Sequence, residues 1–159
     1  AGDLKIECLS PKDGAFQNGA GFDANDASLV LKLSYIGNGK VQNDQVLKDS
    51  DRTGFSGIFT GDISDQTERS INSDLSDAVY LKVAHHGSRT STSEMFLKSV
   101  RPKICVISVG EDNSYGHPAP EVITRLQNSG CRIFRTDMCG EVITVYDEGK
   151  LGIRTQGGL

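Results

Sequence analysis

An α/β fold, a mixed β-sheet flanked by helices, is the class that this sequence predicts. Short apolar runs recur at 55–60, 79–84, 104–109 and 131–135, at lengths that suit buried strands. Segments with helix-start and helix-stop signals separate them, at 64–72, 91–100 and 121–129. Further strand-like segments lie before and after this alternation, so the sheet is not purely parallel.

The elements follow in order. Leu4 to Leu9 alternates weakly and reads as an edge strand. Residues 10–27 are rich in Gly, Asn, Asp and Ala and read as loop. In Ser28 to Tyr35, Leu29, Leu31 and Leu33 alternate with Val30, Lys32 and Ser34, the period of a strand. Residues 37–54 are polar and turn-rich, an exposed excursion whose acidic stretch 44–51 is a solvated face. Phe55 to Thr60 is the next strand. Ser64, with Glu68 one residue beyond capping-box spacing, opens a helix to Asn72. Val79 to Ala84 is a central strand. Ser91-Thr92-Ser93-Glu94 opens a short helix through Val100, which Pro102 stops. Ile104 to Val109 is a strand. Pro118 and Pro120 start the helix Glu121 to Ser129, and Gly130 ends it. Cys131 to Arg135 is a strand. Glu141 to Tyr146 and Leu151 to Arg154 form a closing hairpin around Asp147-Glu148-Gly149-Lys150.

At 159 residues the chain is expected to be a single domain, 1–159, or one lobe of a larger one. A net charge of -4 provides no general basic field for nucleic acid, although a bound metal can supply positive charge locally. No run approaches the ~20 apolar residues of a membrane helix, and the N-terminus is not that of a signal peptide. Cys8, Cys105, Cys131 and Cys139 include no CxxC pair, which argues against a structural zinc site. Cys105 reads as a buried thiol. A Cys131–Cys139 bridge is a minority expectation, and the cysteines fix no compartment.

The residues that carry chemistry gather at strand ends. Asp62 follows Phe59-Thr60-Gly61, His85 and His86 follow Leu81-Lys82-Val83-Ala84, and His117 follows the 104–109 run in Asn113-Ser114-Tyr115-Gly116-His117-Pro118. In α/β folds ligands collect at the carboxyl ends of strands, and imidazole and carboxylate are common metal ligands. Blander readings compete. An aspartate after a strand is often a turn or cap residue. Paired histidines are often one core and one surface residue, and His117 could simply pack on Tyr115 or Pro118. Asn113, Tyr115, Thr136 and Asp137 read first as loop and turn formers, and Ser88, Thr90 and Ser91 first as caps for the following helix.

Five segments, taken in order, resemble the C-terminal half of a metallo-β-lactamase-fold hydrolase, and in particular the hydrolase domain of ComEC-type DNA-internalisation competence proteins. They are Asn25-Asp26-Ala27-Ser28-Leu29-Val30-Leu31; Phe59-Thr60-Gly61-Asp62; Leu81 to Ser88 with Thr90-Ser91; Val106 to Gly110 with Asn113 to Pro118; and Arg135-Thr136-Asp137 with Gly140. The resemblance implies one half of an αββα sandwich with two divalent metals, Zn or Mn, at the sheet edge between the halves. It implies that Asp62 bridges the metals and His86 ligates one. His85 would face a substrate oxygen or support the ligands, and His117 would lie at the substrate phosphate as donor or general acid. The implied partners are DNA or another phosphodiester, and the parent would be a membrane protein with this segment in water. The family's HxHxDH metal motif is absent from this sequence, so the chain alone is expected to be inactive and to need an N-terminal half from a preceding segment. The position near Asn25/Asp26, a metal histidine in many relatives, has none here. An isolated half would leave a sheet face uncovered, which favours self-association. Two other readings stand beside this one: a non-catalytic packing module, and a hydrolase of another phosphoester such as a phosphocholine or cyclic nucleotide ester.

Overall fold

The computed structural model describes residues 2–12, 24–37, 54–147 and 149–156. Among these, six strands form one sheet in the order β1 (Asp3–Ser10), β2 (Val30–Ile36), β3 (Gly54–Phe59), β4 (Tyr80–Lys82), β5 (Ile104–Ile107), β6 (Arg132–Arg135). β1, β2 and β3 pair antiparallel, and β3 to β6 pair parallel. The mixed α/β class is therefore as expected, with Leu4–Leu9 on the sheet's edge strand. Helices α1 (Asp65–Ile71), α2 (Glu94–Val100) and α3 (Pro120–Asn128) are the crossovers between parallel strands, as parallel pairing requires. The short helix α4 (Thr136–Cys139) follows β6, and β7 (Val142–Asp147) with β8 (Lys150–Thr155) forms a separate hairpin. Residues 13–23 and 38–53, within the expected loop and the expected polar excursion, lie outside the described residues.

Alternation along the strands divides the apolar residues between two faces. On one face, Val30, Ile58, Leu81, Cys105 and Ile107 pack with Ile71 of α1, Phe96, Leu97 and Val100 of α2, and Val122 and Leu126 of α3. On the other, Tyr80, Ile104, Val106 and Phe134 pack with Phe55 and Phe59 and with Val142, Leu151 and Ile153 of the hairpin. β5 is buried at all four positions, the signature of a central parallel strand covered on both sides. The hairpin does not cover its face completely. Leu4 and Ile6 of β1, and Ile143 and Val145 on the outer side of β7, remain exposed.

Helix ends follow local chemistry with one correction. Ser64 caps α1 by accepting from the Gln66 amide at 3.3 Å, while Asp26 Oδ1 accepts from the Ser64 amide, the Ser64 hydroxyl and Thr67. For α2 the cap is Ser93, which accepts from the Phe96 amide, and not Ser91. Ser91 is buried and its hydroxyl donates to the carbonyls of Ala84 and Ser88. All four cysteines are free thiols, so the Cys131–Cys139 bridge does not form. β6 runs between them, and four extended residues span roughly 13 Å, well beyond disulfide reach. Cys105 is buried, as expected.

Glu68 is the unexpected core residue. It is fully buried in α1, and its carboxylate accepts from the amides of Thr92, in a very short bond, and of Ser93 at 2.9 Å. Burial raises its pKa against the opposing effect of these bonds. Removing it leaves two buried donors unpaired, each costing about 1–3 kcal/mol. Glu68→Ala is expected to lower the unfolding free energy by about 2–4 kcal/mol in urea denaturation, and Glu68→Gln, which keeps an acceptor, by less.

Candidate functional site

The parallel register aligns Phe59 with Lys82 and Lys82 with Val106. Three strands therefore end side by side, and the chemistry-bearing loops leave from one edge of the sheet. Gly61 turns with φ +54°, and a Cβ there would sit 2.7 Å from Ser28 Cβ, so glycine is required. The next amide, Asp62 N–H, donates to Ser28 Oγ at 3.1 Å, and Thr60 Oγ1 donates to the Lys82 carbonyl at 2.6 Å. The His85 amide donates to the Gly61 carbonyl at 3.0 Å, joining the two loops.

After β4 the chain enters a tight turn, Ala84–Gly87, in which His85 and His86 both take left-handed backbone angles, φ +47° and +54°. Each such residue without glycine's freedom costs roughly 1–2 kcal/mol, and strain of this kind clusters at functional sites. Gly87 follows at φ +83°, where a Cβ would meet Pro118 Cβ at 2.6 Å. Its carbonyl accepts from the Ala119 amide at 2.9 Å, so the histidine turn abuts the His117-Pro118 loop.

The structure brings Asp62, His85, His86 and His117 together. His86 Nδ1 lies 2.6 Å from the Ser108 carbonyl. A carbonyl only accepts, so Nδ1 carries the proton and Nε2 of the neutral ring presents a lone pair. That Nε2 lies 3.6 Å from Asp62 Oδ1. Two N/O ligands of one tetrahedral ion are roughly 3.4 Å apart, and a metal-binding histidine usually donates its other N–H to a backbone carbonyl or carboxylate. Asp62 and His86 thus suit two positions on one divalent ion. Among the described residues no group of three or more His, Cys, Asp or Glu side chains is placed to hold a metal, so this pair is an incomplete ligand set.

His85 lies between the other two histidines, with ring centroids 6.4 Å from His86 and 5.8 Å from His117. His117 Nδ1 is buried without a hydrogen-bond partner. An unpaired buried N–H is costly, so the neutral ring carries its proton on Nε2, which leaves a donor for a ligand. Desolvation, followed by the nearby charges of His85, His86 and Arg89, lowers its pKa below the ordinary 6.5. Tyr115 stacks on the His117 ring at 6.0 Å and 22°.

Other sequence candidates have structural roles. Thr136 Oγ1 exchanges hydrogen bonds with the Val109 amide and carbonyl, both at 2.8 Å. Asp137 accepts from Arg135 in a bidentate pair. Asn113 braces its loop through Gly110 and His117. Of the basic side chains, Arg101, Arg135 and Lys98 are in ion pairs and Arg132 lies over Phe134, while the Arg89 charge is felt at His117. The sequence reading missed Lys82. Its half-buried ammonium donates to the Val83 carbonyl at 3.0 Å, and burial lowers its pKa while Asp62 opposes that shift. The available signal was a lysine inside the apolar run Val79 to Ala84.

With the α/β class and the strand-end site in view, the known proteins similar to this chain can be set beside it. No family model matches. The chain is 40% identical to ComE operon protein 3 of Bacillus subtilis (strain 168) over 144 residues, 88% of the chain and 16% of that protein. It is 34% identical over 102 residues to Competence protein ComA of Neisseria gonorrhoeae, covering 62% of the chain and 14% of that protein. It is also 34% identical over 97 residues to Recombination protein 2 of Haemophilus influenzae, covering 61% of the chain and 12% of that protein. The chain therefore spans about one-sixth or less of the length of each relative.

Two outcomes follow from this geometry. In an imidazole NMR titration His117 reaches its midpoint below pH 6.5. A histidine pKa depressed by folding means that the unfolded chain binds more protons in that window. Its contribution to stability is fully present above the unfolded value and is lost as pH falls through the folded one, which pH-dependent urea melts of the wild type and His117→Gln would register. Gly87→Ala combines a left-handed backbone with a clash on Pro118, and is expected to cost about 2–4 kcal/mol in the same assay.

Proposed function

We propose that this chain is the C-terminal part of a metal-dependent phosphodiesterase or nuclease of the metallo-β-lactamase-like, ComEC type, linked to DNA uptake. The observation that carries the reading is the His86 pair of contacts: Nδ1 donating to the Ser108 carbonyl at 2.6 Å, and Nε2 3.6 Å from Asp62 Oδ1. The similarity to competence proteins along most of the chain supports the uptake role.

In this reading Asp62 and His86 hold one side of a centre for two divalent metals, Zn or Mn, which when bound supply Lewis-acid polarisation and hydroxide at neutral pH. His117 offers Nε2–H to a phosphate oxygen, and its lowered pKa keeps the ring neutral near pH 7. In that state it is a hydrogen-bond donor and a poor acid. His85, held left-handed between the two rings, is aimed at a second substrate oxygen. Lys82 is a fixed cation close enough to the Asp62 carboxylate for that charge to oppose the effect of burial on the lysine. The remaining ligands come from an N-terminal half of the domain supplied by the parent. The exposed apolar side chains of Leu4, Ile6, Ile143 and Val145 belong to the surface that this half, or a second copy of the chain in its absence, would cover. The chain alone does no chemistry.

Titrating Zn or Mn into the chain while following the histidine NMR signals tests the reading. The His86 resonances are expected to respond, by a shift with Zn and by paramagnetic broadening with Mn. The response should disappear in Asp62→Ala and in His86→Ala. Wild-type histidine signals unmoved at millimolar metal would show that Asp62 and His86 are not ligands.

A further inference from the structure

We infer that Tyr115 is a stacking platform for an unpaired nucleobase, so that the strand-end site takes single-stranded nucleic acid with a phosphate at His117 and a flanking base on the tyrosine ring. The inference rests on the phosphodiesterase reading and names its substrate class. Tyr115 is 82% exposed, the most exposed large apolar or aromatic side chain among the described residues. One face of its ring rests on His117 at 6.0 Å and 22°, and that is the only ring contact it makes among the described residues. At 82% exposure most of the ring surface is open to solvent.

The loop that carries it is braced. Asn113 Nδ2 donates to the carbonyls of Gly110 at 3.0 Å and His117 at 2.8 Å, and Asn113 Oδ1 accepts from the His117 amide at 3.0 Å. Gly116 turns at φ +69°, with open space around it. The backbone that carries the ring is therefore held before any ligand arrives, which reduces the entropy lost on binding. A preorganised aromatic face suits a flat π-system, and its neighbours narrow the choice. His85 lies 5.8 Å from His117, and the Arg89 charge is felt at His117. These groups favour a phosphate. A nucleotide joins a flat ring and a phosphodiester in one molecule. In a duplex both faces of a base are covered by its neighbours, so a tyrosine reaches them only where the strand is single. Such stacking is tolerant of sequence, because every base has a π-face.

The test compares two fluorescent octamers of equal charge at low ionic strength: oligothymidylate and an abasic deoxyribose-phosphate chain. Each is titrated with the wild-type chain, Tyr115→Ala and Tyr115→Phe, and anisotropy is read. Tyr115 is exposed, so both variants should keep the fold, which circular dichroism confirms. Tyr115→Ala is expected to weaken oligothymidylate binding roughly 5- to 100-fold and to leave abasic binding unchanged. Tyr115→Phe, which keeps the π-face, is expected to bind like the wild type. Equal binding of the two octamers by the wild type, or an equal loss for both in Tyr115→Ala, overturns the inference. Absence of binding to either octamer overturns it too. The metal titration of Asp62 and His86 involves no nucleic acid, so it reports separately on the hydrolase reading.

Discussion

The hydrogen bond from the His85 amide to the Gly61 carbonyl is the contact on which the site depends. It joins the loop after β3 to the loop after β4 and fixes the separation of Asp62 from the two histidines. It forms because both residues adopt backbone angles that ordinary strand ends avoid, Gly61 at φ +54° and His85 at φ +47°. Glycine takes such an angle freely. The histidines do not, and the surrounding packing must offset their strain: Gly87 pressed against Pro118, Ser91 bonded to the Ala84 carbonyl and a fully buried Ala84. A turn this constrained gives the imidazoles fixed directions, which a metal or phosphate site needs and a surface loop does not.

The sheet beneath it has two unequal faces. Three helices close one, and the β7–β8 hairpin closes part of the other. Lys82 marks the boundary. It is on the hairpin side by register, between Phe59 and Val106, with its ammonium toward the loops. A lysine among apolar neighbours is tolerated where its head can reach a carbonyl and a carboxylate, and Val83 and Asp62 provide these.

Much of this was legible in the sequence, for physical reasons that differ by element. β3 to β6 could be read because buried parallel strands leave continuous apolar runs bounded by turn residues. Pro102, Pro120 and Gly130 could be read because their backbone restrictions act locally. Asp62, His85, His86 and His117 could be grouped because strand ends in a parallel sheet share an edge. What the sequence hid depends on contacts distant along the chain. Glu68 reads only as a helix-start residue just off capping-box spacing, yet it is buried, and amides 24 and 25 residues away use it as their acceptor. Ser91 and Ser93 are equally plausible caps until Ala84 engages Ser91. Helix α4 is too short to show a period, and Lys82 was masked by the apolar run around it.

The bracing by Glu68 has a consequence for how the site comes apart. α1 begins three residues after Asp62, and its Asp65 amide donates to the Thr90 carbonyl while Glu68 grips the amides that start α2. With the His85–Gly61 bond, segments 61–68 and 85–93 are cross-linked at both ends. Segments joined this way open together rather than fray one loop at a time. The carboxylate and the histidines therefore belong to one cooperative unit. Loosening it does not leave a weaker version of the site: Asp62, His85 and His86 are in place together or dispersed together, and the fraction of molecules with this part of the site assembled follows the stability of this pair of loops.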